Sequence, residues 1–167
     1  MNADYFRTLY DYHYWARDKV LAAAEGMTED EYAKDTGFTY KSVRGMLMHT
    51  MTAEIMWLAR ARGESISFAD LPNGESHPTL DALSEHWAKV ESLQRSYLQS
   101  LQDDDLEKDV VFTGRDGNEF RQPLWQILTL VYSHAIQHRS EAAEALTMAA
   151  RSPGNLDFMV YVRERGQ

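Results

Sequence analysis

A chain of 167 residues, 44% of them apolar, is long enough to bury a real core, and residues 1–167 read as a single domain. Its 26 acidic against 17 basic side chains give a formal charge of −9, which disfavours nucleic acid or an anionic membrane surface as partner. It has no cysteine, so disulfides, thiolate metal sites and a cysteine nucleophile are excluded, and any thiol chemistry must take its thiol from outside.

The opening MNADYFRTLYDYHYW carries acidic residues and no continuous apolar run, so it does not read as a signal peptide. No stretch reaches the roughly 18–20 apolar residues of a spanning helix. The expected location is cytoplasmic.

Helical periodicity begins at once. Phe6, Leu9, His13, Ala16, Val20 and Ala24 recur at three- and four-residue steps, and Gly26 closes the segment. Thr28 and Glu31 have capping-box spacing, so a short helical turn follows. A second long helix is expected from the N-cap Ser42 to Gly63, with Val43, Met46, Leu47, Ile55, Trp57 and Leu58 as its apolar positions. Residues 64–78 read as a loop turning at Pro72-Asn73-Gly74.

The third long helix runs from Thr79 to about Leu101, with Leu80, Leu83, Trp87, Val90, Leu93, Tyr97 and Leu101 in a heptad-like rhythm. The period then changes: VVF at 110–112 and EFRQ at 119–122 flank Asp116-Gly117, a hairpin signature. Pro123 suits the first turn of a fourth long helix ending near Ala150, and residues 156–165 form a short closing helix or strand. The fold class is all-α, a four-helix bundle with a small hairpin before the fourth long helix. Such a fold alone says little about function.

The chain has six histidines. His77, beside Pro78, reads as solvated, and His86 as an exposed helix residue. His134 and His138 are spaced i, i+4, one turn apart on one helix face, where both imidazoles can reach one ion. Ile127, Val131, Ala135 and Ala142 share that sector, so the face looks inward. A zinc-protease motif needs Glu after the first histidine, where Ala135 stands, and no histidine has the Glu three residues earlier that a di-iron bundle needs. His49, in the second long helix, reads by itself as a hydrogen-bonded core histidine. Combined with the pair, it makes three neutral imidazoles from two helices, a donor set that holds zinc or a similar ion with coordination positions left open.

This arrangement resembles the DinB/YfiT-like family of metal-binding helical bundles over roughly residues 6–162. One histidine lies in the second long helix, in MHTMTAEIMWLAR, and an HxxxH pair lies in the fourth, in SHAIQHRSE. YHYWAR at 12–17, AEIMWLAR at 53–60, DGNEFRQPLWQILTLVYSHAIQHR at 116–139 and LDFMVYVRE at 156–164 match the family's order of pieces. The sequence departs from it at His13 and Arg17, where relatives often carry Asn, and at Ser140-Glu141, where many carry Gly-Gln.

The resemblance implies a divalent metal ion (zinc, nickel or iron) held by His49, His134 and His138, and a homodimer. It also implies a small-molecule substrate, with transfer of a low-molecular-weight thiol to an electrophile as the reaction in some relatives. A metal-dependent hydrolase and a non-catalytic dimeric metal-binding stress protein are the alternatives. No catalytic residue is assigned. Glu54 lies about 140° around the helix from His49, so both cannot ligate one ion. Glu54 is then a general base, an outer partner of a ligand, or the mate of a basic group in the bundle. Arg139 either binds a substrate carboxylate or faces solvent, and His13 either lines the cavity or packs.

Overall fold

The amphipathic segments become α1 (Ala3–Ala24), α3 (Val43–Ala61), α4 (Leu80–Ser100) and α5 (Leu124–Met148) in the computed structural model, which describes residues 2–166. Two short α-helices, α2 (Glu29–Ala33) and α6 (Phe158–Arg165), and two 3-10 turns, Phe68–Asp70 and Asp103–Glu107, accompany them, and β1 (Asp109–Thr113) pairs antiparallel with β2 (Glu119–Pro123). Among the described residues no helix is long and apolar enough to cross a membrane.

The helix starts follow from side chains that satisfy otherwise unpaired backbone donors. Asn2 accepts from the Tyr5 N–H, Ser42 from Gly45, Thr79 from Ala82 and Asp157 from Met159. Both halves of the capping box between Thr28 and Glu31 form at the head of α2. Pro123 precedes α5 without a side-chain cap, and the Leu124 N–H instead donates to the Lys108 carbonyl at 2.9 Å, which ties the hairpin to the helix. The hairpin turns through residues 114–118, where Gly117 takes φ 82°, a conformation that costs other residues more. The closing segment is the helix rather than the strand, and its buried Tyr161 packs on Tyr12 and Trp15.

α3 and α5 share the largest helix–helix interface, and α1 packs against both α5 and α4. The core has two apolar halves. One gathers Val20, Met46, Met51, Leu83, Trp87 and Leu146; the other gathers Phe6, Tyr10, Tyr14, Leu98, Leu124 and Val131. Between them, at mid-height on every long helix, lie buried polar groups: His13 and Arg17 on α1, Glu54 on α3, Gln94 on α4, and His138 and Arg139 on α5.

α4 corrects one expectation. Leu93 is 52% exposed, whereas Gln94 and Leu98 are each 3% exposed. The buried stripe runs 83, 87, 90, 94, 98, close to the period of a straight helix, while a strict heptad drifts around the axis. Burying Leu93 would have turned α4 by about 100°, one residue's worth of rotation.

Candidate metal centre

His49, His134 and His138 come together at the α3–α5 interface. Each offers one ring nitrogen, and the three nitrogens lie within 4.8 Å of one another. The Nε2 atoms of His49 and His134 are 2.9 Å apart. An ion with bonds of about 2.0–2.1 Å to imidazole spans donor separations of roughly 2.9–3.4 Å, so this pair already has the spacing of two ligands. Three imidazoles and no carboxylate suit zinc, nickel or iron better than magnesium or calcium. The residues present therefore fit a divalent ion.

The protein also sets which nitrogens face inward. His138 is buried, and its Nδ1 lies 2.8 Å from Glu141 Oε2. A carboxylate only accepts, so Nδ1 carries the proton and donates, leaving the Nε2 lone pair for the cluster. Tyr40 lies flat against His49, with ring centroids 3.7 Å apart at 15°, and meets His138 edge-on at 4.9 Å. Burial, helped by the neighbouring His134, His138 and Arg115, pushes His49 down to about 4. Burial, then His138, lowers His134 as well. Both rings are thus held neutral at ordinary pH, the form that ligates.

Glu54 does not join the triad. It is 1% exposed and accepts from His13 Nε2 at 2.8 Å, Trp87 Nε1 at 3.0 Å and the Tyr14 hydroxyl at 3.2 Å. Of the three roles expected for Glu54, this is the pairing with a basic group in the bundle. Arg139 neither faces solvent nor reaches outward for a substrate. It is 4% exposed, and its Nη1 donates to His13 Nδ1 at 2.8 Å. The residue after a ligand points about 100° away on a helix, and here that direction is the α1–α5 seam rather than the solvent or the triad. His13 packs in the core between Arg139 and Glu54. An arginine only donates, so His13 accepts on Nδ1 and donates from Nε2, and the neutral imidazole bridges a buried positive and a buried negative charge. Arg17 extends the layer through ion pairs with Asp18 and Glu91, and its guanidinium lies over the Tyr14 ring.

Two other histidines pair away from the triad. His77 and His86 stack at 4.9 Å, with His86 Nδ1 2.9 Å from His77 Nε2, so neither is simply solvated. The residues that sequence reasoning missed are Tyr40 and Glu141. Glu141 had a signal in its i, i+3 spacing from His138. Tyr40 lies in a loop, where no periodicity announces it.

A helical bundle with three imidazoles converging from two facing helices, one of them fixed by a carboxylate, defines a class of proteins able to bind a divalent metal. The chain belongs to the DinB family, whose model matches residues 1–166. A crystal structure described as the conserved protein of locus from Enterococcus faecalis superimposes with a TM-score of 0.64 at 16% identity, covering 84% of this chain and 94% of that one. At that identity the likeness concerns the fold alone. No curated protein matches the sequence.

Proposed function

We propose that the protein is a divalent-metal-dependent enzyme that transfers a low-molecular-weight thiol to an electrophilic small molecule, with His49, His134 and His138 as the metal ligands. The convergence of three neutral imidazole nitrogens within 4.8 Å carries this reading. When bound, a divalent ion acidifies a coordinated thiol and so provides a nucleophile at neutral pH.

The chain's own contribution is positional. Glu141 holds the His138 tautomer, Tyr40 holds the plane of His49, and burial keeps the rings unprotonated. In the reaction a sulfur–carbon bond forms, the thiol proton passes to solvent and the electrophile loses its leaving group. The absence of cysteine supports an external thiol, because no internal sulfur competes for the ion or the electrophile. We further infer a homodimer, which sedimentation velocity tests directly.

Elemental analysis of tag-free protein beside His49→Ala and His138→Ala tests the ligand assignment. About one divalent ion per chain in the parent, lost in both variants, is expected. Mixing metal-loaded protein with L-cysteine and monochlorobimane tests the reaction. A conjugation rate equal to background and unchanged by His138→Ala would overturn the transferase reading for that thiol.

A further inference from the structure

Two arginines, Arg60 in the last turn of α3 and Arg115 on the hairpin turn, lack carboxylate partners and sit together. Among the described residues, neither Arg60 nor Arg115 forms an ion pair, and the nearby Glu64 is taken by Arg62 at 2.8 Å. Aromatic faces hold both guanidinium groups instead. Arg60 lies 4.5 Å over Trp57 and 4.8 Å over Phe112, and Arg115 lies 4.5 Å over Phe68.

Stacking of this kind fixes the plane of a guanidinium while leaving its N–H edge free for an oxyanion. Arg60 spends one edge donor on the Thr113 carbonyl at 3.2 Å and keeps the others. Each charge also opposes the other: desolvation and then Arg115 lower the pKa of Arg60. An arriving anion relieves that repulsion. Arg60, Phe68 and Phe112 line a depression of about 250 Å³, roomy enough for a carboxylate or phosphate group, and the Glu64 carboxylate on its wall is offset by its ion pair with Arg62.

The position connects this pair to the metal centre. Arg60 follows His49 by eleven residues on α3, which places it about 20° around the helix and roughly 16 Å along it. Arg115, on the hairpin turn, joins Arg60 there, because the same Phe68 ring lies 4.5 Å from Arg115 and 5.9 Å from Arg60. We propose that Arg60 and Arg115 form an oxyanion subsite that holds the carboxylate or phosphate end of an elongated anionic substrate whose reacting end lies at the imidazole triad. The connection to the triad rests on the metal-centre reading; the subsite itself does not.

Calorimetric titration of the full chain with succinate and with inorganic phosphate tests the subsite. It is run on chelator-stripped and on zinc-loaded protein, and the two anions separate carboxylate from phosphate preference. Saturable binding of at least one anion is expected, weakened about tenfold or more in Arg60→Gln and in Arg115→Gln. Arg163→Gln, an exposed arginine elsewhere, should bind as the parent does. Arg115 lies in an exposed turn, so Arg115→Gln remains decisive if Arg60→Gln fails to fold.

No saturable binding of either anion, or equal weakening by Arg163→Gln, overturns the subsite. Anion binding to a protein that takes up no zinc upholds the subsite and defeats the metal reading instead. On zinc-loaded protein, 8-mercaptooctanoate should bind about tenfold more tightly than 8-mercaptooctanol, and the advantage should vanish in Arg115→Gln. Equal affinities in the parent overturn the connection to the triad.

Discussion

Glu54→Gln tests the buried layer most sharply, because the change removes a charge while keeping the shape. The direction of every hydrogen bond there is dictated from one end. Arg139 can only donate, so His13 must accept on Nδ1 and donate from Nε2, and Glu54 Oε1 must accept at 2.8 Å. Glu54 Oε2 accepts from Trp87 Nε1, also an obligate donor, at 3.0 Å. A glutamine has one acceptor oxygen for these two sides. Whichever way its amide is flipped, the NH2 group faces an N–H donor that cannot turn around. One charge-assisted bond is lost and a buried donor is stranded, a cost of about 1.5–3 kcal/mol.

Glu54→Ala strands both obligate donors and opens a cavity, which raises the cost to about 3–5 kcal/mol. Against a total stability of roughly 5–15 kcal/mol for a domain, either loss is readily measured. Urea unfolding followed by far-UV circular dichroism gives both values. Metal content should stay at the parental level in Glu54→Gln, because Glu54 is occupied by the layer and supplies no ligand. A Glu54→Gln protein within about 0.5 kcal/mol of the parent would refute the fixed polarity of the layer, and loss of metal would refute the exclusion of Glu54 from the site.

Glu141→Gln should weaken zinc affinity about 10- to 100-fold in competition with a chromogenic chelator, by loosening the tautomer and orientation of His138. Gly45→Ala should lower stability by about 1–3 kcal/mol in the same urea assay, because a Cβ there would lie 2.0 Å from the Tyr40 carbonyl oxygen and push on the loop that carries Tyr40. For His13, burial is the main cause of a pKa below the ordinary value of 6.5. The unfolded chain therefore binds a proton at this residue before the folded one does, so the His13 contribution is complete above about pH 6.5 and declines as pH falls below it. His13→Asn should flatten that acid-side decline of stability; an unchanged slope would show that another group causes it. Leu98→Ala should cost about 2–5 kcal/mol and Leu93→Ala far less, since only Leu98 is buried.

Much of this protein was readable without its fold, and what was readable is local. Helix starts at Ser42 and Thr79, the capping box at Thr28 and the hairpin around Asp116-Gly117 depend on interactions within a few residues, which spacing records directly. The convergence of His134 with His138 is local in the same way, since four residues make one helical turn. Adding His49 needed the assumption that two apolar faces meet, and the family resemblance supplied the order of the pieces.

What only the tertiary structure decided are the partners that arrive from other elements. Glu54 became an acceptor for His13, Tyr14 and Trp87 because α1 and α4 bring those donors to it, from 41, 40 and 33 residues away. Arg139 turned inward because α1 offers His13 across the seam, and Leu93 turned outward because α4 follows the period of its neighbours rather than a heptad. Tyr40 reaches His49 from a loop, and Arg115 reaches Phe68 from a hairpin turn. The periodicity of one helix records which side of it is apolar. Which charged group meets which depends on how the helices rotate against one another, and that rotation is set only when all their faces are packed at once.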